Sequence, residues 1–464
     1  ALSSAASDVY KRQILDDMYQ LSFYNYYVNN GDRTIYFNSI SGQIFSVSEQ
    51  ENQFLQNQFN DLISFELEYN SMFKKFVDWE FITDTERDQK DVIRLINHKK
   101  VFLDKTYRLV LNPTLECNFR CWYCYEDHVT GKMSEEIMEK IKKHVKLMIK
   151  EERISGLFLD WFGGEPLLYF DEIIVPLSEQ LRDIMTENGL SFFTQATTNG
   201  SLITEERAKK MNELGMKHFQ ITLDGDEKRH NRIRNMNGAP SYKQILQGIY
   251  CLCENIPDVN ITLRINYDTQ TLEKSNMKEV FEMIPIKYRY KINPSFHRVW
   301  QTESKRNEEG NNLNKLAIFD YCKELGYDVE SPTSYLSVLK GHTCYVDRYY
   351  HTEINFDGKI YKCTARAYSD EYVLGELQDD GHIFWKQEKM RKMYAKATFE
   401  NEMCLACKHM PLCTGPCSQK LLETPKELLH TICPLTTADV NVDTFIRNLY
   451  DKKMKSLQAT ESLS

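Results

Sequence analysis

Residues 117–124 read Cys117-Asn118-Phe119-Arg120-Cys121-Trp122-Tyr123-Cys124, three cysteines spaced C-x3-C-x2-C just after the extended apolar stretch Tyr107–Leu111. Thiolates are the soft ligands that iron–sulfur clusters and zinc select. Three of them on so short a segment suit three irons of a 4Fe–4S cluster. The fourth iron then has no protein ligand and is free to bind a small molecule. A zinc site, or three unrelated thiols, is the alternative that the motif alone leaves open.

Outward from this motif, residues 101–300 alternate extended apolar segments with amphipathic ones, the pattern of a parallel βα architecture. The expected strands are Tyr107–Leu111, Leu157–Phe162, Phe192–Thr197, Lys217–Leu223, Ile261–Asn266 and Ile292–Val299. A helix is expected after Ser134, with Ile137, Ile141, Val145 and Met148 at helical spacing, and a later one carries Ile245, Ile249 and Leu252. Cys251 and Cys253 on that later helix are two apart and cannot share a face, so they read as small buried residues. Cys322, on an apolar stripe with Ile318 and Leu325, reads the same way.

The cysteine spacing, with Tyr123 before its last thiol, resembles the radical S-adenosylmethionine (radical SAM) superfamily. The resemblance implies an α/β fold with a partial (β/α)6 barrel, and chemistry at the C-terminal strand ends. It also implies that Cys117, Cys121 and Cys124 hold a 4Fe–4S cluster whose open iron chelates SAM. Gly163-Gly164-Glu165-Pro166, closing the second strand, resembles the family's GGEP motif. Glycines there let the backbone approach a ligand closely, and Glu165 is placed to accept from the SAM ammonium. Thr198-Asn199-Gly200 and Thr222-Leu223-Asp224-Gly225 end the next two strands and resemble segments lining the SAM ribose and the substrate cavity. The implied SAM contacts are therefore Tyr123, Gly163, Gly164, Glu165, Asn199, Thr222 and Arg234. Arginine suits a carboxylate because its planar fork donates twice, although Arg229 and Arg232 compete with Arg234 for that role.

Farther on, Cys344 is followed by thirteen residues, Gly358, four more and Cys363, and then by Cys404-x2-Cys407-x5-Cys413-x3-Cys417-x15-Cys433. This array resembles the seven-cysteine signature of SPASM domains, which bind two auxiliary 4Fe–4S clusters. By resemblance Cys344, Cys363 and Cys417 hold the first, and Cys404, Cys407, Cys413 and Cys433 the second, making three 4Fe–4S clusters in all. Some members of that family carry a further cysteine shortly before the one matching Cys344; here Ser337-Val338-Leu339 holds no thiol, so the resemblance implies a first auxiliary cluster with either an open iron or a further ligand such as Cys322. Asp357-Gly358 between extended segments predicts a β-hairpin turn. Zinc is the competing reading, since Cys404-x2-Cys407 with Cys413 also fits a zinc knuckle.

Ahead of the core, Arg33–Asn38 and Gln43–Val47 predict two strands joined at Ser41-Gly42. A helix follows from N-cap Ser48, with Glu51 completing a capping box, and more helix lies between Phe65 and Phe76. This α+β module resembles leader-peptide recognition domains of peptide-modifying enzymes; a cap that only packs against the barrel fits the pattern equally.

The domain expectation is a probable non-native leader at 1–13, which resembles translated adapter sequence and has no initiating Met. After it come an N-terminal module at 14–100, the radical SAM core at 101–300, a linker at 301–340, a SPASM domain at 341–440 and a tail at 441–464. At 464 residues two or three domains are expected. The net charge of -9 argues against the usual phosphate-neutralising nucleic-acid binder, and no apolar run is long enough to span a bilayer. Without a signal-peptide pattern the expected location is cytoplasmic, where thirteen cysteines point to metal ligation more than to disulfides.

The resemblance implies a radical SAM oxidoreductase that acts on a precursor peptide or protein substrate and takes electrons from an external donor. The leading expectation is a maturase of a ribosomally synthesised peptide, forming a thioether or carbon–carbon crosslink. The alternative is an anaerobic sulfatase-maturating enzyme, in which an aspartate base usually follows the cysteine matching Cys363; here Thr364 follows it. A non-catalytic iron–sulfur protein is the reading from a different class.

Overall fold

The computed structural model describes residues 18–267, 274–299, 308–329, 336–436 and 441–461. The expected non-native leader at 1–13 lies outside them. The chain forms two compact units, one from Ala1–Leu103, Thr333–Asp347 and Ala395–Ser464, the other from Asp104–Pro332 and Arg348–Tyr394.

In the first unit, β1 (Tyr19–Leu21) precedes an antiparallel sheet of β2 (Asn25–Asn30), β3 (Arg33–Asn38) and β4 (Ile44–Ser48), with β3 central. Strand β5 (Ile82–Asp84) pairs with β1. The sequence pattern identifies β3 and β4 but not β2, whose three asparagines have little strand propensity. Pairing with β3 along its whole length overrides that preference. Ser48 caps the helix Glu49–Phe59 as expected: its backbone N–H donates to Glu51 Oε2 at 2.7 Å, and Glu51 N–H donates to Ser48 Oγ at 3.4 Å.

One core of this unit joins Tyr36, Phe59, Phe65, Phe73, Phe76 and Phe81. Another joins Tyr26, Val28, Ile35, Phe37 and Ile44 of the sheet to Leu412, Cys413, Phe445 and Ile446. The described part of the stretch 441–464, expected to be a tail, thus forms a packed helix (Val442–Glu461) with Phe445 and Ile446 buried on the sheet.

The second unit holds a ten-stranded sheet. Strands β6 (Thr106–Leu111), β7 (Gly156–Trp161), β8 (Ser191–Thr198), β9 (Met216–Thr222), β10 (Asn260–Tyr267) and β11 (Ile292–Arg298) lie side by side in chain order, all parallel. Each agrees with its expected strand to within one residue at either end, as the expected α/β radical SAM core requires. Strand β12 (His351–Ile354) then pairs parallel with β6 on its outer edge. Strands β13 (Lys359–Tyr361), β14 (Gly375–Leu377) and β15 (Ile383–Trp385) extend the sheet antiparallel. The turn between β12 and β13 is the expected one, with Gly358 at φ +83°.

Strand alternation sorts the side chains. Tyr107, Leu109 and Leu111 of β6 and Leu157, Leu159 and Trp161 of β7 pack against Ile141, Val145, Leu177, Leu181, Ile245, Ile249 and Leu252 of the helices. Each fully enclosed aliphatic side chain there contributes about 1.5–3 kcal/mol. Cys251, Cys253 and Cys322 belong to the same core, as their apolar reading expects. The opposite face carries Arg108, Val110, Asp160 and Gln195.

Two stretches differ from their expected boundaries. The described part of 301–340 is no plain linker: the helix Glu308–Glu324 buries Ile318, Phe319 and Cys322 in the core. Its polar first half, Glu308-Glu309-Gly310-Asn311-Asn312, hides the helical period that its second half carries. The 341–440 stretch is divided, because β12 takes up the edge of β6 and draws 348–394 into the second unit. Among the described residues no helix is long and apolar enough to cross a membrane.

Candidate functional site

The loop between β6 and the helix Glu135–Leu147 carries Cys117, Cys121 and Cys124, each partly exposed and unbridged. Its base is closed by Met133 N–H donating to Pro113 O at 2.8 Å and by Thr114 Oγ1 donating to Gly131 O at 2.5 Å. Gly131 N–H donates to Glu116 Oε1 at 2.9 Å, tying the two arms together. Phe119, only 1% exposed, anchors the loop tip in the core. Within the motif, Cys124 N–H donates to Cys121 O at 3.0 Å and Phe119 N–H to Cys117 Sγ at 3.4 Å. Burial pushes the Cys117 thiol up to about 12 and the Cys124 thiol up to about 11, so ligation by a metal is what would hold them as thiolates.

Gly163 and Gly164 lie directly against this loop. A Cβ on Gly163 would overlap Thr114 O, and one on Gly164 would overlap the carbonyl oxygens of Leu115 and Glu116. Gly164 N–H and Glu165 N–H donate to Thr114 O and Glu116 O at 3.3 and 2.8 Å. The family resemblance implies a ligand approaching these glycines; in the structure their close neighbour is the backbone of the cysteine loop.

Glu165 is fully enclosed and its carboxylate is used internally. Oε1 accepts from Thr198 Oγ1 at 2.7 Å and from Leu167 N–H at 3.0 Å, while Oε2 accepts from Asn199 N–H at 2.7 Å. Burial raises its pKa despite these bonds. Asn199 is thereby aimed at the loop: its Nδ2 donates to Asn118 Oδ1 at 2.8 Å and lies 4.0 Å from Cys117 Sγ.

A second network gathers on Tyr123. Its hydroxyl accepts from Arg234 NH1 at 2.7 Å and from Asn266 Nδ2 at 3.0 Å, and donates to Asp224 Oδ2. Asp224 Oδ1 accepts from Asn266 N–H at 3.2 Å. Arg234 lies over the Phe119 ring at 5.8 Å, and its buried Nε has no partner. Behind it His230 accepts Asp224 N–H at 3.2 Å on Nδ1 and meets Ser241 Oγ at 3.0 Å through Nε2. Burial lowers the His230 pKa to about 3, so the ring is neutral as those roles require. Ser241 Oγ in turn donates to Arg234 O at 2.5 Å.

Of the three competing arginines, Arg234 is the one bonded to Tyr123; Arg232 is exposed, and Arg229 packs against Gly225. Thr222 ends β9 beside Arg264 of β10, two residues before Asp224. The parts played by Asn118, His230, Ser241 and Asn266 carry no motif of their own and are missed by sequence reasoning. Asp224 has a signal, its place in the Thr222–Gly225 segment, of which the sequence reading singles out Thr222 alone.

In the first unit, Cys433 lies in electrostatic range of Cys404, Cys407 and Cys413, and Cys404 in range of Cys407 and Cys413. After burial, the neighbouring thiols raise the pKa values of Cys404, Cys407 and Cys413. Asn401 Oδ1 caps the Cys404 turn by accepting its N–H at 3.0 Å. Cys344 and Cys417 are drawn together by Asp347. Its Oδ2 accepts the N–H groups of Thr343 and Cys344 at 2.9 Å each, and its Oδ1 accepts Ser418 N–H and Oγ at 2.7 Å each. Cys363 lies just past β13 in the second unit.

Asp347→Ala orphans four donors from two segments. Were Cys344 and Cys417 to hold a cluster, as the resemblance implies, it would reduce iron incorporation by about one cluster's worth, four irons, while Cys117→Ala removes a different set. Iron and sulfide analysis of the two variants and their double mutant checks this: additive losses are expected, and full iron in Asp347→Ala would refute the clamp.

Among the described residues no three Cys, His, Asp or Glu side chains converge on a single metal ion. An all-thiol donor set on one half-exposed loop, beside a buried guanidinium with a free Nε, fits an iron–sulfur cluster with an anionic ligand.

Comparison with known proteins matches residues 111–276 to the Radical SAM superfamily. The Fe-coproporphyrin III synthase of Methanosarcina barkeri (strain Fusaro / DSM 804) is 28% identical over 200 residues, 43% of this chain and 45% of that protein. The serine-type anaerobic sulfatase-maturating enzyme of Bacteroides thetaiotaomicron is 25% identical over 178 residues, 36% of this chain and 41% of that enzyme. The chain thus spans less than half the length of either relative. The structure described as native anSMEcpe with bound AdoMet and Cp18Cys peptide shares the fold. Its TM-score is 0.50 at 20% identity, covering 67% of this chain and 88% of that one.

Proposed function

We propose, on the premise that residues 111–276 of this chain are a radical SAM domain, that the protein matures a ribosomally synthesised peptide by forming a thioether or carbon–carbon crosslink. It is a radical SAM enzyme, and the family implies SAM and a 4Fe–4S cluster. When bound, these supply a 5′-deoxyadenosyl radical that takes a hydrogen atom from the substrate.

Cys117, Cys121 and Cys124 would hold the cluster. Arg234, with its free Nε, would receive a carboxylate, and Glu165 holds Asn199 against the cysteine loop. Tyr123 and Asp224 keep the Arg234 guanidinium in position. Cys344, Cys363 and Cys417, and the set Cys404, Cys407, Cys413 and Cys433, would hold two auxiliary clusters.

The observation that carries the peptide reading is the edge of the N-terminal sheet. Strand β4 has a strand neighbour on one side only. Its carbonyls at Ile44 and Ser46 are met by side chains, Lys453 Nζ at 3.2 Å and Arg33 NH2 at 2.9 Å. Side-chain donors blunt this edge, and a peptide that displaced them would add as a further strand, the mode by which extended peptides are often captured. That Thr364 stands where sulfatase maturases carry an aspartate base sets formylglycine formation second.

Anaerobic reconstitution tests the reading. About twelve irons per chain, with SAM cleaved to 5′-deoxyadenosine in a reaction abolished by Cys117→Ala, are the expected results. Zinc in place of iron, or iron without cleavage, would leave a metal-binding scaffold.

A further inference from the structure

The sheet face turned away from the helices carries an unbalanced charge where β12, β6 and β7 meet. Glu353 on β12 and Asp160 on β7 are both register partners of Val110 on β6. The two carboxylates therefore stand in one layer, with Cα atoms two strand spacings, about 10 Å, apart. Asn112 continues the same face two residues beyond Val110, between β6 and the cysteine loop.

Each group is held by one atom and left open at another. Glu353 Oε1 accepts from Tyr368 OH at 2.6 Å and from Asn112 Nδ2 at 3.1 Å. Asp160 Oδ2 accepts from Gln195 Nε2 at 2.7 Å. Glu353 Oε2, Asp160 Oδ1 and Asn112 Oδ1 are buried with no partner, as is Glu126 Oε2 on the cysteine loop. Glu353 and Asn112 are wholly enclosed.

These four open atoms are acceptors, and the Nε of the neighbouring Arg108 is a buried donor that is also without a partner. The facing cation is Arg108, two residues before Val110, whose guanidinium lies over the Phe158 ring at 4.5 Å and whose charge acts on Asp160. Its charge acts on Asp160, while Glu353 is held by neutral groups, Tyr368 and Asn112. Burial pushes both Glu353 and Asp160 up to about 7, and for Glu353 the charge of Asp160 adds to this. Buried acceptors in this state call for a donor that also carries positive charge.

We propose that Glu353, Asp160 and Asn112 form a subsite for a primary ammonium group, the side chain of a substrate lysine. An ammonium has three N–H donors and no acceptor, matching the three open oxygens. A lysine seated here is fixed beneath the cysteine loop, which orients the neighbouring residues of a peptide for reaction. The inference rests on the peptide-substrate reading and deepens it.

The test uses the anaerobically reconstituted full chain and two probes, Nα-acetyl-lysine amide and its uncharged isostere Nα-acetyl-norleucine amide. Saturation-transfer NMR is expected to show transfer to the lysine methylenes at least fivefold stronger than to those of norleucine. Glu353→Gln and Asp160→Asn should each lower that ratio, and the pair together should abolish it. Equal transfer to both probes in the parent chain would overturn the subsite, whether or not the variants fold. A ratio unchanged in folded variants would overturn it too. SAM cleavage by the same preparation decides separately the enzyme reading beneath it.

Discussion

The Gly164→Ala variant is expected to fold and to reconstitute with about four fewer irons than the parent chain, the content of one 4Fe–4S cluster. The added Cβ would overlap the carbonyl oxygens of Leu115 and Glu116 and lie 2.6 Å from Glu116 C. These are backbone atoms with no rotamer to escape into, so the loop itself must move. Overpacking of this kind costs about 1–3 kcal/mol. The bonds from Gly164 and Glu165 to Thr114 and Glu116 add about 1 kcal/mol each when lost. Because Thr114, Glu116, Gly131 and Met133 close the loop on itself, the shift carries Cys117 with it. Iron analysis checks the loss, and far-UV circular dichroism checks that the sheet survives. A fully loaded Gly164→Ala protein would show that these glycines serve a bound ligand and not the loop.

Arg234→Met is expected to destabilise the second unit by about 3–5 kcal/mol, the usual cost of removing one partner from a buried charged network. Tyr123 would lose the donor at 2.7 Å, and the enclosed Asp224 would lose its nearby cation while keeping its bonds from Tyr123 and Asn266. Burial already raises the Asp224 pKa, and the Arg234 charge is the first of the influences that oppose it. The variant should therefore lose stability as pH rises and Asp224 ionises. Adding Asp224→Asn should recover most of the loss, since both charges are then gone. Urea unfolding of the single and double variants measures the coupling. A double variant no more stable than Arg234→Met would mean that the arginine acts through packing on Phe119 instead.

The six parallel strands were legible because alternation is local. Tyr107, Leu109 and Leu111 face one way whatever else the chain does, and the helix capped by Ser134 begins at the first residue that can use the cap. The β2 strand was not legible, since its pairing with β3 outweighs the preference of its asparagines. The final helix was missed because its apolar residues have meaning only against Tyr26, Val28 and Ile44, some four hundred residues earlier. At the site, the cysteine motif and the Gly163-Gly164-Glu165 turn could be named in advance, but not that one seats the other.

By itself, then, the sequence determined the elements of the core: where its six parallel strands run, and which thiols are spaced to share a cluster. Those follow from backbone geometry and ligand chemistry within a few residues. Only the tertiary structure decided the partners. It placed β12 beside β6, so that Glu353 stands level with Asp160. It joined Cys344 to Cys417 through Asp347, and it buried the N-terminal sheet against Leu412, Cys413 and the last helix. The reason is that burial and hydrogen bonding act between surfaces brought together by the whole chain, and an isolated segment does not record which surface it will meet.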